Sequence, residues 1–298
     1  MLQLSYHLKP KGKGEEPIVL EKLGPIDTRE LFPPLYAELF TLLRSLSPEE
    51  WLRETPAPGW SVHAMAAHLL DTDLRRLAGQ RDGWQVPVVG FELSSYDGLL
   101  SYINHLNQTW VDTARRISPR LLVDLMEVVG DQIFAFYAEQ DLDALTGAGV
   151  MWAGETRSAF WFDLAREYTE KWHHQQHIRE AVGAPLQLER RWLYPALETF
   201  LRGLPHAYRE QAATDGSVVR LRIVGEAGGD WSLVREGELW QLYRGSAAEH
   251  DALIEIDQDS AWRLFTKGLG VDQARKRARI EGDSELAERF FGFLAIMA

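Results

Sequence analysis

The hydrophobic period of this chain changes at Asp215-Gly216, and that change limits what it can fold into more than any other feature. Upstream, apolar residues keep helical spacing, as in Leu193, Leu197, Phe200 and Leu201, which share one helix face. Downstream, Val219, Leu221 and Ile223 alternate with Arg220 and Arg222, a period of two that reads as a half-buried strand. Trp231–Arg235 and Leu239–Tyr243 follow, joined by Glu236-Gly237, a hairpin signal. Leu253–Ile256 reads as a fourth strand, and helices over about 259–267 and 283–297 flank another strand that ends at Ile280-Glu-Gly-Asp283. The fold class is therefore α+β, with a helical bundle at 27–189 and a connector helix plus smaller α+β domain at 190–298.

Local signals divide the first part further. Residues 1–26 read as an extended arm interrupted by the turn-rich Lys9-Pro-Lys-Gly-Lys-Gly14. Helical patterning begins near Asp27, a candidate N-cap, runs to Leu46, and is expected to break or restart at Pro33-Pro34. Ser47-Pro48-Glu49-Glu50 has the cap, proline and acids of a helix start. Pro56-Ala-Pro-Gly59 forces a loop, and Ser61 caps a long helix reaching about Gly79. Further helices are expected over 95–117, 118–140, 158–182 and 190–210, with Gly183 and Pro185 closing the third of these.

Composition narrows the chemistry. The 298 residues suffice for a large buried core, and 45% hydrophobic with 26% charged content is that of an ordinary globular protein. A formal charge of -12 argues against a nucleic-acid surface. The absence of cysteine removes disulfides, thiolate ligands and a cysteine nucleophile, so a bound zinc would have to be held by histidine and carboxylate. No signal peptide and no membrane span are read, and a cytoplasmic location is expected.

Against that background Glu170 and His174 stand out. Four residues apart on a helix, they point the same way and form half of a divalent-metal site. His173 and His177 form a second pair with the same spacing, and periodicity does not separate the two. Trp161, Leu164, Tyr168 and Trp172 make an apolar stripe with these four polar residues on the other side. His68 lies likewise opposite the apolar face of its helix, with Thr72 and Arg75. The plain alternative for both helices is a solvated polar face. Asp71 and Asp73 follow His68; Asp71 is either a partner that fixes its imidazole or, more simply, an exposed helix acid. His63 reads as a surface residue, and Arg166 as an orienting partner for Glu170 or for a substrate acid, or equally as half of a surface pair.

Two motifs carry a family resemblance. Trp60-Ser-Val-x5-His68-Leu resembles the Trp-Ser/Thr-Val and His-Leu signature of the DinB-like superfamily, closest in its mycothiol-dependent maleylpyruvate isomerase branch. The second motif of that branch, Glu-x3-His, an Asp three residues on, then Ala-x-Gly, is matched here by Glu170, His174, His177, Ala181 and Gly183. His177 is the departure. The resemblance implies a DinB-like four-helix bundle followed by a sterol-carrier-like α+β domain, with His68, Glu170 and His174 as metal ligands. It also implies a C-terminal arginine holding an anionic substrate; among Arg275, Arg277 and Arg279 the last is favoured, against the plain reading of a solvated basic edge strand.

Three protein ligands leave a tetrahedral ion one open position, the pattern of catalytic sites. Without cysteine, thiol chemistry would need a diffusible thiol, whose thiolate form is the nucleophile. The expected function is a metal-dependent transferase or isomerase using mycothiol or another small thiol on an electrophilic or unsaturated small molecule. Zinc is the favoured ion and nickel an alternative. The expected partners are the substrate and the thiol, with no nucleic acid, no membrane and room for a homodimer. A metal-dependent hydrolase and a non-catalytic metal- or ligand-binding stress protein are the competing classes. The site is expected to open toward the C-terminal domain.

Overall fold

The computed structural model describes residues 5–7, 19–147 and 149–296, so the turn expected at Lys9–Gly14 lies outside the described residues. The chain divides into two compact units. Among the described residues, the helical unit is built from Asp27–Ala144 and Glu167–Gln187, and the sheet unit from those up to Ile26, then Leu145–Arg166 and Leu188–Ile296. The stretch 145–166, expected within the bundle, thus groups with the sheet.

The helical unit begins with α1, Phe32–Ser45, and Pro33-Pro34 occupy its first turn. The prolines open this helix rather than break it, because the first-turn N–H groups have no intrahelical acceptor to lose. Asp27 is no N-cap for it: its carboxylate accepts from the backbone and guanidinium of Arg29. Three later helices each start on a serine whose side chain accepts a backbone N–H. These are α2, Val62–Arg76, capped by Ser61; α3, Tyr96–Ala114, capped by Ser95; and α4, Pro119–Ala138, capped by Ser118. Ser47 and Glu50 cap each other reciprocally, but over a single tight turn at Glu50–Leu52. Helix α2 packs against α3 and α4, and α4 against α1. Phe32, Tyr36, Met65, Leu122 and Ile133 are buried in this unit.

Helix α5, Phe160–Val182, runs through the remaining motif residues and ends at Gly183, whose φ of 72° needs a residue without a Cβ. Leu164, Tyr168 and Trp172 are fully buried along its apolar stripe. The opposite side is half-buried at Glu170, His174 and His177, and Glu167, Lys171, His173 and Gln175 are buried as well.

The sheet unit has β1, Ser5–His7; β2, Val19–Lys22; β3, Val218–Val224; β4, Gly229–Glu236; β5, Leu239–Arg244; β6, Ala252–Asp257; and β7, Arg279–Gly282. Their order is β1-β2-β5-β4-β3-β6-β7, with β3 and β6 parallel and the other pairs antiparallel. The β4–β5 hairpin turns on Gly237 at φ 57°. Helices α6, Arg190–Leu201, α7, Leu204–Ala207, α8, Gln258–Phe265, α9, Val271–Arg277, and α10, Ser284–Phe291, complete the unit. Phe265 and Phe290 meet edge to face at 5.6 Å among buried Phe200, Leu264 and Phe293. The architecture is α+β, a helical N-terminal region with a C-terminal sheet domain.

Candidate metal centre

Helix α2 supplies one candidate ligand and α5 the other two. The serine cap fixes where α2 starts, so His68 falls in its second turn, 4% exposed, with the Trp60 ring edge-on at 4.9 Å. Its Nε2 lies 3.2 Å from Glu170 Oε1, and His174 Nε2 lies 3.0 Å from the same oxygen. The two imidazoles are perpendicular, 5.0 Å apart. One donor atom from each of the three residues lies within 4.8 Å of the others, and no other trio of histidine, aspartate and glutamate does so among the described residues.

The electrostatics suit lone-pair donation. Burial lowers the His68 pKa to about 4, against the pull of Glu170, so its ring is neutral at ordinary pH. For Glu170, burial raises the pKa, but the neighbouring His174 and His68 outweigh it and hold the carboxyl well below its usual range. A neutral imidazole and an ionised carboxylate are the forms a metal takes.

The other sequence candidates are distributed differently. Asp71 is buried, not exposed, and its Oδ2 lies 2.9 Å from Arg75 Nε. It does not orient His68, whose Nδ1 is buried without a hydrogen-bond partner. The Nδ1 atoms of His177 and His174 face each other at 3.4 Å, which places the departing residue beside a candidate ligand. Arg166 pairs with Asp163 at 3.3 Å. His63 reaches the carbonyl of Ile117 at 2.9 Å, a purely structural contact. Arg279 stands 62% exposed on edge strand β7 beside Glu281, while Arg275 and Arg277 belong to α9.

Comparison with known proteins agrees with the motif reading. The model of the mycothiol maleylpyruvate isomerase N-terminal domain matches residues 32–179. Residues 32–179 belong to that domain family. Among solved structures, a histidine-to-alanine mutant of the mycothiol-dependent maleylpyruvate isomerase is similar with a TM-score of 0.51 and 11% identity, over 85% of this chain and 91% of that one. The mycothiol-dependent maleylpyruvate isomerase without that change aligns at 12% identity over 79% and 86%, with a TM-score of 0.49. At such identity the first likeness concerns the fold alone. No curated protein sequence matches the chain. Among the described residues no helix is long and apolar enough to cross a membrane.

Within this maleylpyruvate isomerase-type domain, one group went unread in the sequence. Lys171 Nζ lies 2.8 Å from Asp73 Oδ1 and 3.5 Å from Glu167 Oε1, and Arg76 reaches Glu167 Oε2 at 3.0 Å. Tyr36 of α1 donates to Asp73 at 2.8 Å. Burial pushes the Asp73 carboxyl up, and Lys171 beside it pulls the other way. The available signal was spacing: Asp73 and Arg76 sit three apart on α2, Glu167 and Lys171 four apart on α5, each pair with opposite charge.

Proposed function

We propose that this protein is a metal-dependent enzyme that adds a small thiol, mycothiol in the first instance, to an electrophilic double bond of an anionic molecule such as maleylpyruvate. Releasing the thiol after bond rotation makes the reaction an isomerisation; retaining it makes a transfer. The observation that carries this reading is the convergence of His68, Glu170 and His174 within the stretch, residues 32–179, that matches the family's N-terminal domain. Two imidazole nitrogens and a carboxylate fit zinc or nickel and leave one position open. When bound there, the ion would lower the pKa of a thiol at that position and stabilise its thiolate. The chain's own residues hold and orient. Glu170 brings the anionic charge that offsets the cation, while His68 stays neutral because it is buried. The Trp60 ring shields one side of that imidazole. Having no cysteine, the chain must take its thiol from solution.

The test is metal analysis of the full-length protein followed by a thiol screen with maleylpyruvate as substrate. About one divalent ion per chain and thiol-dependent turnover are expected. Turnover that ignores thiol would support the hydrolase reading, and metal uptake without turnover would leave the binding-protein reading.

A further inference from the structure

We propose that Lys171 is a positioning residue for the metal site, a buried brace that sets the register of α2 against α5 so that His68 and Glu170 meet. The inference rests on the metal reading above. Lys171 Nζ donates to the Leu69 carbonyl at 2.8 Å and to the Thr72 hydroxyl, and pairs with Asp73 at 2.8 Å. All three partners lie on α2. Leu69 directly follows His68 and Lys171 directly follows Glu170, so the brace joins the immediate neighbours of two proposed ligands. Sliding or rotating either helix would break several directed contacts at once. The acid is itself fixed from a third helix, because the Tyr36 hydroxyl lies 3.0 and 2.8 Å from the two Asp73 oxygens.

Stability alone is a poor reason for this arrangement. Lys171 and Asp73 are each 1% exposed, and removing two charges from water is repaid only where geometry and further hydrogen bonds are good. An apolar pair of similar volume would hold α2 to α5 as firmly, but apolar contact is non-directional and does not fix register. A metal site needs its ligands held within about 0.5 Å. Directed bonds beside both ligands meet that need.

The experiment uses cobalt(II) as the probe on the full-length protein, with affinity, the visible absorption of the bound ion and the unfolding of the metal-free protein as readouts. Lys171→Met combined with Asp73→Asn removes the charge pair while keeping the volume. We expect the metal-free double variant to unfold close to the wild type, yet to bind cobalt about tenfold or more weakly with an altered absorption band. Thr72→Val is a milder variant that removes one contact; it should weaken binding roughly two- to threefold, and it decides the matter if the double variant does not fold. Wild-type affinity and spectrum in every variant that folds would overturn the brace and leave the metal reading standing. A wild-type protein that takes up no cobalt would overturn both.

Discussion

Helices α5 and α10 both bury side chains, and they bury opposite kinds of surface. Along α10 the buried residues are Leu286, Ala287, Phe290 and Phe291, an apolar face against solvent-facing polar residues. Along α5, buried Leu164, Tyr168 and Trp172 share the helix with buried Glu167, Lys171, His173, Gln175 and Gln176. Burying apolar area stabilises a fold with no further conditions. Burying polar groups stabilises little even when every group is partnered and is costly when one is not. The difference separates a helix whose task is packing from one whose task is to hold polar groups in place, and the candidate ligands lie on the second.

The largest effect expected from this contrast is in the sheet unit. Phe290→Ala should remove about 3–5 kcal/mol of stability in urea unfolding, through the lost ring and the cavity left against Phe265, while metal affinity stays unchanged. A loss below about 1 kcal/mol would erase the distinction from that side.

Acid should expose the other side. The His68 pKa falls from 6.5 to about 4 on folding, so between those values the unfolded chain binds the extra proton. Stability therefore rises with pH across that window and is lost as pH falls through it, by about 3 kcal/mol at 1.36 kcal/mol per pH unit. Glu170 acts in the same direction: its depressed pKa adds stability above its unfolded value that is lost on further acidification. The check is urea unfolding of the metal-free protein from pH 7 to 4, with His68→Gln flattening the slope. An unchanged slope in that variant would show that His68 is not buried in neutral form.

Metal binding sharpens the comparison within α5. Glu170→Ala should weaken affinity at least tenfold, about 1.4 kcal/mol, and His174→Ala should abolish stoichiometric uptake, whereas His173→Ala should leave affinity nearly intact. The reverse order would assign the ion to the histidine-only pair. The smallest effect is expected at Arg279. Exposed beside Glu281, its replacement by alanine should change stability by no more than about 0.5 kcal/mol. A large loss of turnover on a carboxylate substrate would restore Arg279 as a substrate-holding residue.

Much of this architecture can be read from residues, and the gaps have physical causes. Serine caps and strand alternation are local, so α2 and the β3–β5 meander show in the sequence. Helix α9 does not show, since Val271–Arg277 buries only Ala274 and so carries no apolar period. Polar position is legible but its burial is not: His68 and Asp71 lie opposite an apolar face, and only tertiary packing decides that this side is also covered. Of the candidate trio, the Glu170/His174 pair shares its spacing with His173/His177 and is singled out only by the motif, while the approach of His68 across 102 residues is a long-range event that periodicity cannot report.

The pairing of β2 with β5 has a consequence for how the chain comes into being. Glu21 and Lys22 are made early, but their strand partners Arg244 and Tyr243 follow more than two hundred residues later. During synthesis β2 must wait for β5 while the segments of the helical unit are made between them. Strand β2 therefore joins the sheet late, although its residues are among the oldest in the chain. A fragment that stops near Gly216 would leave β2 without β5 to dock against.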